Sequence, residues 1–211
     1  MNVRERGATI YLEHQTFRRT LKPFLEYESV RRLLTGVRSK RIGRSEYEVT
    51  ISGVTIKGGY YWMDCIRKEW PAWKLWYLPP GGLKGKTVLD VGSGCGESML
   101  FFILNGAKRV IGIEMDPVAV EFCRKNIEAN GWDATVINDE FRPEHQFIAH
   151  DFEKVDVEGG ERALLDRRIT GLPNCRIELH PNYSPKNQKE SEALIQKFGL
   201  KRIQDNVWST V

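Results

Sequence analysis

The segment from residue 87 to residue 105 constrains this chain most. A short apolar run, Thr87-Val-Leu-Asp-Val91, gives way to Gly92-Ser-Gly94-Cys-Gly96 and then to a helical stretch over 97–105. An apolar strand that ends in a glycine-rich turn and restarts as a helix opens a βαβ unit, which commits the rest of the chain to a parallel sheet. The remaining sequence agrees. Further strands are predicted over 109–113, 134–137, 152–157 and 175–179, and helices over 117–130 and 189–198, with Gly131 as a C-terminal stop. Segments 200–203 and 207–211, joined by Asp205-Asn206, read as a closing hairpin that adds an antiparallel edge strand. The expected fold is α/β: a seven-stranded, mostly parallel sheet with helices on both faces.

The region before Pro79-Pro80-Gly81-Gly82 has a different texture, and that run marks a boundary. It divides the chain into an extension over 1–80 and a main domain over 81–211. A helix is expected over 10–35, with Leu21, Phe24, Leu25, Leu33 and Leu34 partly on one face and Pro23 limiting its regularity. Alternation around Val49, Ile51, Val54 and Ile56, centred on Ser52-Gly53, predicts a hairpin over 48–57. The aromatic run over 60–77 predicts one or two helices, either packed as core or lid or offering a stacking platform to an acceptor. The extension would pack on the main domain and shape an acceptor site.

The first 45 residues carry eleven basic and four acidic side chains, so +7 of charge sits there while the whole chain is only +4. Such a segment suits an RNA-binding arm or a solvated helix face. An aromatic content of 10% excludes a disordered chain, and no apolar run approaches the length of a bilayer span. The N-terminus lacks an apolar signal segment, and Cys65, Cys95, Cys123 and Cys175 are too scattered for a zinc or redox motif. A cytoplasmic protein with reduced thiols and no metal site is expected.

The turn discriminates between ligands. Its third glycine follows the first by four residues, whereas the dinucleotide fingerprint requires five. Asp90, two residues before Gly92, would repel a diphosphate and attract an ammonium, directly or through water. Glu114 closes the second strand, where a carboxylate accepts ribose hydroxyls, and Asp139 follows the third, within reach of an adenine amino group. Each carboxylate alone reads equally as a cap or a surface charge. Three at successive strand ends describe a cationic, phosphate-free nucleoside.

These residues resemble the class I S-adenosylmethionine-dependent methyltransferases. Val88-Leu-Asp-Val-Gly-Ser-Gly-Cys-Gly96 is similar to their first motif, and Val110-Ile-Gly-Ile-Glu-Met-Asp-Pro117 to their second. Phe122-Cys-Arg-Lys-Asn126 and Asn130-Gly131 resemble the next helix of that family. The resemblance covers 84–211 and implies a Rossmann-like fold with S-adenosylmethionine as cofactor. It places Asp90, Gly92, Ser93 and Gly94 at the methionine end, Glu114 at the ribose, and Met115 and Asp139 at the adenine.

The end of the fourth strand bears on the acceptor. The Asn/Asp-Pro-Pro-Tyr of many amine methyltransferases is missing, and Lys154-Val-Asp156-Val-Glu158-Gly-Gly160-Glu161 stands in its place. That run, with Ile177-Glu178-Leu-His180, resembles the FkbM-type methyltransferases, a family associated with O-methylation on sugars and polyketides. Gly160 replaces the family's usual alanine, and the stretch over 138–151 is short for it. The resemblance implies a small-molecule or glycan hydroxyl acceptor. Asp156, Glu158 and His180 stand at strand ends, where sites form, and are the catalytic candidates: Asp156 lines the site or holds a loop, Glu158 serves the site or starts a helix, and His180 is a general base or a packed side chain. Two other readings stand beside it. One is a tRNA methyltransferase that uses the basic segment, and the other a cofactor-binding subunit without catalysis. Asn126 and Asn130 read as braces for backbone.

Overall fold

A computed structural model describes residues 36–167 and 174–210. The helix expected over 10–35, and with it most of the basic segment, lies outside the described residues. The chain enters as β1 (Arg38–Arg41), β2 (Glu46–Ile51) and β3 (Val54–Gly59), an antiparallel sheet in that order. The predicted hairpin is present and two residues longer at each end. Ser52 and Gly53 form its turn with φ of 51° and 84°, the doubly left-handed geometry that matches strand twist. The strand β1 is unannounced in the sequence because Arg38-Ser-Lys-Arg41 has no apolar alternation. It pairs through its backbone, Arg38 opposite Thr50 to Arg41 opposite Tyr47.

The aromatic run forms one helix, α1 (Tyr60–Tyr77), with Pro71 inside it. Met63, Ile66, Trp73, Trp76 and Tyr77 share its buried face. Trp70 and Trp73 meet the Phe101 ring edge-on at 5.7 and 6.0 Å, which docks α1 against the helix after the glycine turn.

The main sheet takes up β4 (Thr87–Val91), β5 (Arg109–Glu114), β6 (Ala134–Asn138), β7 (Phe152–Val155), β8 (Cys175–Glu178), β9 (Lys201–Gln204) and β10 (Val207–Ser209). Helices α2 (Glu97–Leu104), α3 (Pro117–Asn130) and α4 (Pro185–Phe198) connect them. The spatial order is β6-β5-β4-β7-β8-β10-β9, and the first five of these strands run parallel. The chain moves outward from β4 to β6, then returns to place β7 on the other side of β4. The strand ends diverge at that switch point and leave a crevice between β4 and β7.

Two expectations need correction. The closing hairpin does supply an antiparallel strand, but that strand, β10, lies inside the sheet between β8 and β9. The edge belongs to β9, because β10 buries Val207 and Ser209 while β9 is mostly exposed. Helix α4 begins at Pro185 rather than at residue 189. The Ser184 hydroxyl accepts the Asn187 N–H at 3.1 Å, and Pro185 fills the first helical position, where no donor is needed.

Both faces of the sheet are covered. Val88 packs with α1, α2 and the hairpin, whereas its neighbour Leu89, with Val91, Val155, Ile177 and Leu194, faces the other side. Asp90 falls on the Val88 side, a carboxylate in a core position. Asn126 is the brace the sequence suggested. Its amide donates to Lys57 O and Cys95 O, both at 2.8 Å, and its carbonyl accepts the Lys57 N–H at 2.9 Å. Asn130 donates to Thr55 O at 3.0 Å. The hairpin is thus sewn onto α3 and the glycine turn. Behind β7, Arg167 grips Glu153 through two hydrogen bonds of 2.8 and 2.5 Å in full burial. All four cysteines are free thiols. Among the described residues no helix is long and apolar enough to cross a membrane.

Candidate active site

The glycine turn sits at the switch point. Gly92 and Ser93 donate to Ile113 O at 2.9 and 3.2 Å, which ties the turn to the end of β5. Gly92 has φ of 75°, and a Cβ there would lie 1.7 Å from Asp156 O. Only glycine lets the main chain after β4 press onto the main chain after β7. A crevice of about 350 Å³ opens beside it, a size that suits a small-molecule site. Among the described residues its lining includes eight carboxylates (Glu69, Glu97, Glu114, Asp139, Glu140, Asp156, Glu158, Glu178) and one cation, Lys154.

The first acidic position works differently from the sequence expectation. Asp90 has no exposed surface and does not line the crevice. Ser98 donates to it at 2.6 Å, and the cation it meets is Lys154 Nζ at 3.4 Å. Burial raises the Asp90 pKa, while Lys154 and Ser98 oppose the rise. Lys154 also donates to Gly92 O at 2.8 Å and stands 3.6 Å from Asp156. Burial works against its charge, yet Asp90, Asp156 and Glu97 together hold it above the ordinary lysine range. Asp90 therefore acts on the crevice through Lys154 and the Gly92 main chain. Ser93 is likewise fully buried and abuts Gly112 instead of facing the ligand space.

Other carboxylates do face that space. Glu97, in the first turn of α2, lines the crevice and accepts the Cys95 thiol at 3.3 Å. Burial pushes its pKa up to about 8. Glu178 is also pushed up to about 8, first by burial and then by Asp156, although Tyr77 donates to it at 3.0 Å. At the opposite end Glu114 accepts the Gly94 N–H at 2.9 Å and the Asp116 N–H at 2.8 Å. Met115, Asp139 and Phe141 line the same end as Glu114. Asp139 pairs with Arg142, which holds its pKa below the usual range, and lies 3.3 Å from His145.

The three catalytic candidates come together. His180 Nε2 lies 3.4 Å from Glu158 and 3.8 Å from Asp156, while Nδ1 meets Glu161 at 2.6 Å. Burial opposes the imidazolium, but the Glu161 hydrogen bond and the neighbouring carboxylates raise the His180 pKa to about 9. The same contacts favour the protonated ring, so His180 would have to release the Nε2 proton before it could act as a general base or a ligand. Glu158 accepts from Tyr61 at 2.8 Å and from Tyr183, and its φ of 50° is strained for a non-glycine residue.

Sequence reasoning missed Lys154, Glu97, Tyr61 and Tyr77. Lys154 did leave a signal: Phe152-Glu-Lys-Val155 is a central parallel strand, where a buried charge is out of place. Tyr61 and Tyr77 left only a general one: the aromatic run allowed an acceptor platform, but nothing in it singled out these two hydroxyls.

The family model for ribosomal protein L11 methyltransferase (PrmA) matches residues 77–157, from the end of α1 to just past β7. The ribosomal protein L11 methyltransferase of Aquifex aeolicus is 40% identical over 126 residues, 57% of this chain and 48% of that protein. The human electron transfer flavoprotein beta subunit lysine methyltransferase is 27% identical over 172 residues, 66% of this chain and 60% of that protein. The matches span 60% or less of these curated relatives' length. Among solved structures, Trm5b from Pyrococcus abyssi superposes with a TM-score of 0.51 over 82% of this chain and 60% of that one, at 15% identity. Residues 77–157 are thus related in sequence to ribosomal protein L11 methyltransferases, and the chain has the Rossmann-like α/β fold of methyltransferases.

Proposed function

We propose that this protein is an S-adenosylmethionine-dependent methyltransferase that methylates a hydroxyl oxygen, at the acceptor end formed by Asp156, Glu158 and His180. One observation carries the cofactor assignment: a glycine turn opens onto a crevice with eight carboxylates and one lysine. That lining repels a diphosphate and favours a ligand bearing a sulfonium and an ammonium. The residues fit the group. Bare main chain at Gly92 and Gly94 and the Glu97 carboxylate would hold the methionine end, Glu114 the ribose, and Met115, Asp139 and Phe141 the adenine. When bound, S-adenosylmethionine supplies a methyl carbon already activated by its sulfonium.

The chain's own task is then to align an acceptor and exclude water. Helix α1 closes one wall with Tyr61, Trp62, Cys65, Glu69, Trp73 and Tyr77, which supports a role for the extension over 1–80 in shaping the acceptor entrance. Lys154 anchors the main chain at Gly92 and holds Asp156 beside it. Asp156 would accept the hydroxyl proton as the acceptor oxygen bonds to carbon, and Tyr61 and Tyr183 fix Glu158 next to it. The FkbM-type resemblance of 152–161 and 177–180 supports oxygen as the acceptor.

A second reading has its own support. The same carboxylates suit a cationic amine, and the Aquifex and human relatives are both named for protein acceptors. RNA would depend on the basic residues 1–45, since the crevice itself repels phosphate. Incubation with methyl-labelled S-adenosylmethionine and fractionated extract decides among them. Label in a small molecule or glycan as a methyl ether is expected. Label recovered as methyl-lysine, or in RNA, would replace the hydroxyl assignment. Saturable cofactor binding with no label in any fraction would support the non-catalytic subunit instead.

A further inference from the structure

The side chains beyond the ends of β7 and β8 converge more tightly than cofactor binding requires. We propose that Asp156, Glu158 and His180 form a site for one divalent metal ion, of the magnesium, manganese or zinc class, at the acceptor end of the crevice. One ligand atom from each lies within 4.8 Å of the others. Ligands about 2.1 Å from a shared ion stand roughly 3.0 Å apart when the ion is octahedral and roughly 3.4 Å when it is tetrahedral. The separations of 3.4 and 3.8 Å from His180 Nε2 are already near the latter value.

The surroundings are those a ligand set needs. His180 is only 7% exposed, and its Nδ1 is bound to buried Glu161, which is itself fixed by the Gly159 N–H at 3.0 Å. A carboxylate on one imidazole nitrogen sets the tautomer and aims the other nitrogen outward, as in metal-bound histidines. Nε2 is thereby directed between the Asp156 and Glu158 carboxylates. Glu158 is held in turn by the Tyr61 and Tyr183 hydroxyls. Three carboxylates surround one imidazole, and Lys154, 3.6 Å from Asp156, offsets only part of their charge, so a dication suits the remainder. Two oxygens and one nitrogen suit magnesium, manganese or zinc and not a soft monovalent ion.

This site rests on the hydroxyl reading and deepens it. A cation there would displace the Nε2 proton of His180, fix the acceptor oxygen and lower its pKa. The test is a titration of the full chain with Mn²⁺, followed by the loss of the free-ion electron paramagnetic resonance signal. One bound ion per chain is expected, displaced by excess Mg²⁺ or Zn²⁺. Affinity should fall at least tenfold in Asp156→Asn and in Glu158→Gln, and 10- to 100-fold in Glu161→Gln, which acts only through His180. The half-exposed Glu158 makes its variant the safest for folding, and circular dichroism checks each one. No uptake at millimolar Mn²⁺, or uptake indifferent to all three substitutions, overturns the site. Calorimetry with S-adenosylhomocysteine on the same samples keeps the two readings apart. Binding of that nucleoside without Mn²⁺ uptake removes the metal site alone, and Mn²⁺ uptake without nucleoside binding removes the methyltransferase reading alone.

Discussion

Among individual residues, the buried charges around Lys154 set the character of the crevice. Lys154→Met leaves Asp90 in the core without its cation, a loss of about 3–5 kcal/mol of stability by analogy with broken buried pairs. Urea denaturation should show that loss, and the double variant Asp90→Asn/Lys154→Met should recover part of it. If the double variant is no better than the single one, the two groups are not coupled. Glu97 gives a pH signature. Its folded pKa of about 8 exceeds its unfolded value, so the folded state binds the proton more tightly. Its contribution is fully present below the unfolded pKa, declines as pH rises, and is lost above about 8. Glu97→Gln cannot ionise. Its advantage in melting temperature over the wild type should therefore grow between pH 5 and 8 and level off beyond, and parallel profiles would count against a buried, ionising Glu97.

Among the elements, the hairpin and α1 are held to the sheet by a few specific bonds. Asn126 satisfies three backbone groups on β3 and the glycine turn at once. Asn126→Ala strands them, and each buried unsatisfied group costs roughly 1–3 kcal/mol. Hydrogen exchange should show faster opening of β3 and the Cys95 region while β7 and β8 stay protected. Uniform acceleration across the sheet would mean that the hairpin is no separate element. The element pattern was the most legible part of the sequence. Strand β4 and helix α3 were predicted residue for residue, because both have strong local signals: an apolar run before glycine, and Asp116-Pro117 and Gly131 as caps. Strand β1 was invisible for the opposite reason, since it holds its place by pairing and not by burial.

Across the molecule as a unit, the two core clusters clamp the sheet between α1 and the hairpin on one side and α4 on the other. The crevice is assembled from both halves of that clamp, so a ligand that fills it stabilises the fold as a unit. S-adenosylhomocysteine at a hundredfold excess over its dissociation constant should add about 2.7 kcal/mol and raise the melting temperature, while NAD at the same concentration should not. Equal shifts with both would contradict a crevice that rejects diphosphates.

Local sequence was enough to set the chain order of strands and helices and the position of the glycine turn between β4 and α2, because glycine spacing, caps and apolar runs act over a few neighbouring residues. It took the folded arrangement to show that Asp90 pairs with Lys154, that Glu161 holds Nδ1 of His180, and that Tyr61 and Tyr77 line the crevice. Those pairings depend on which strand ends the sheet brings side by side. Chain-distant groups acquire their charge state from neighbours that no local pattern names.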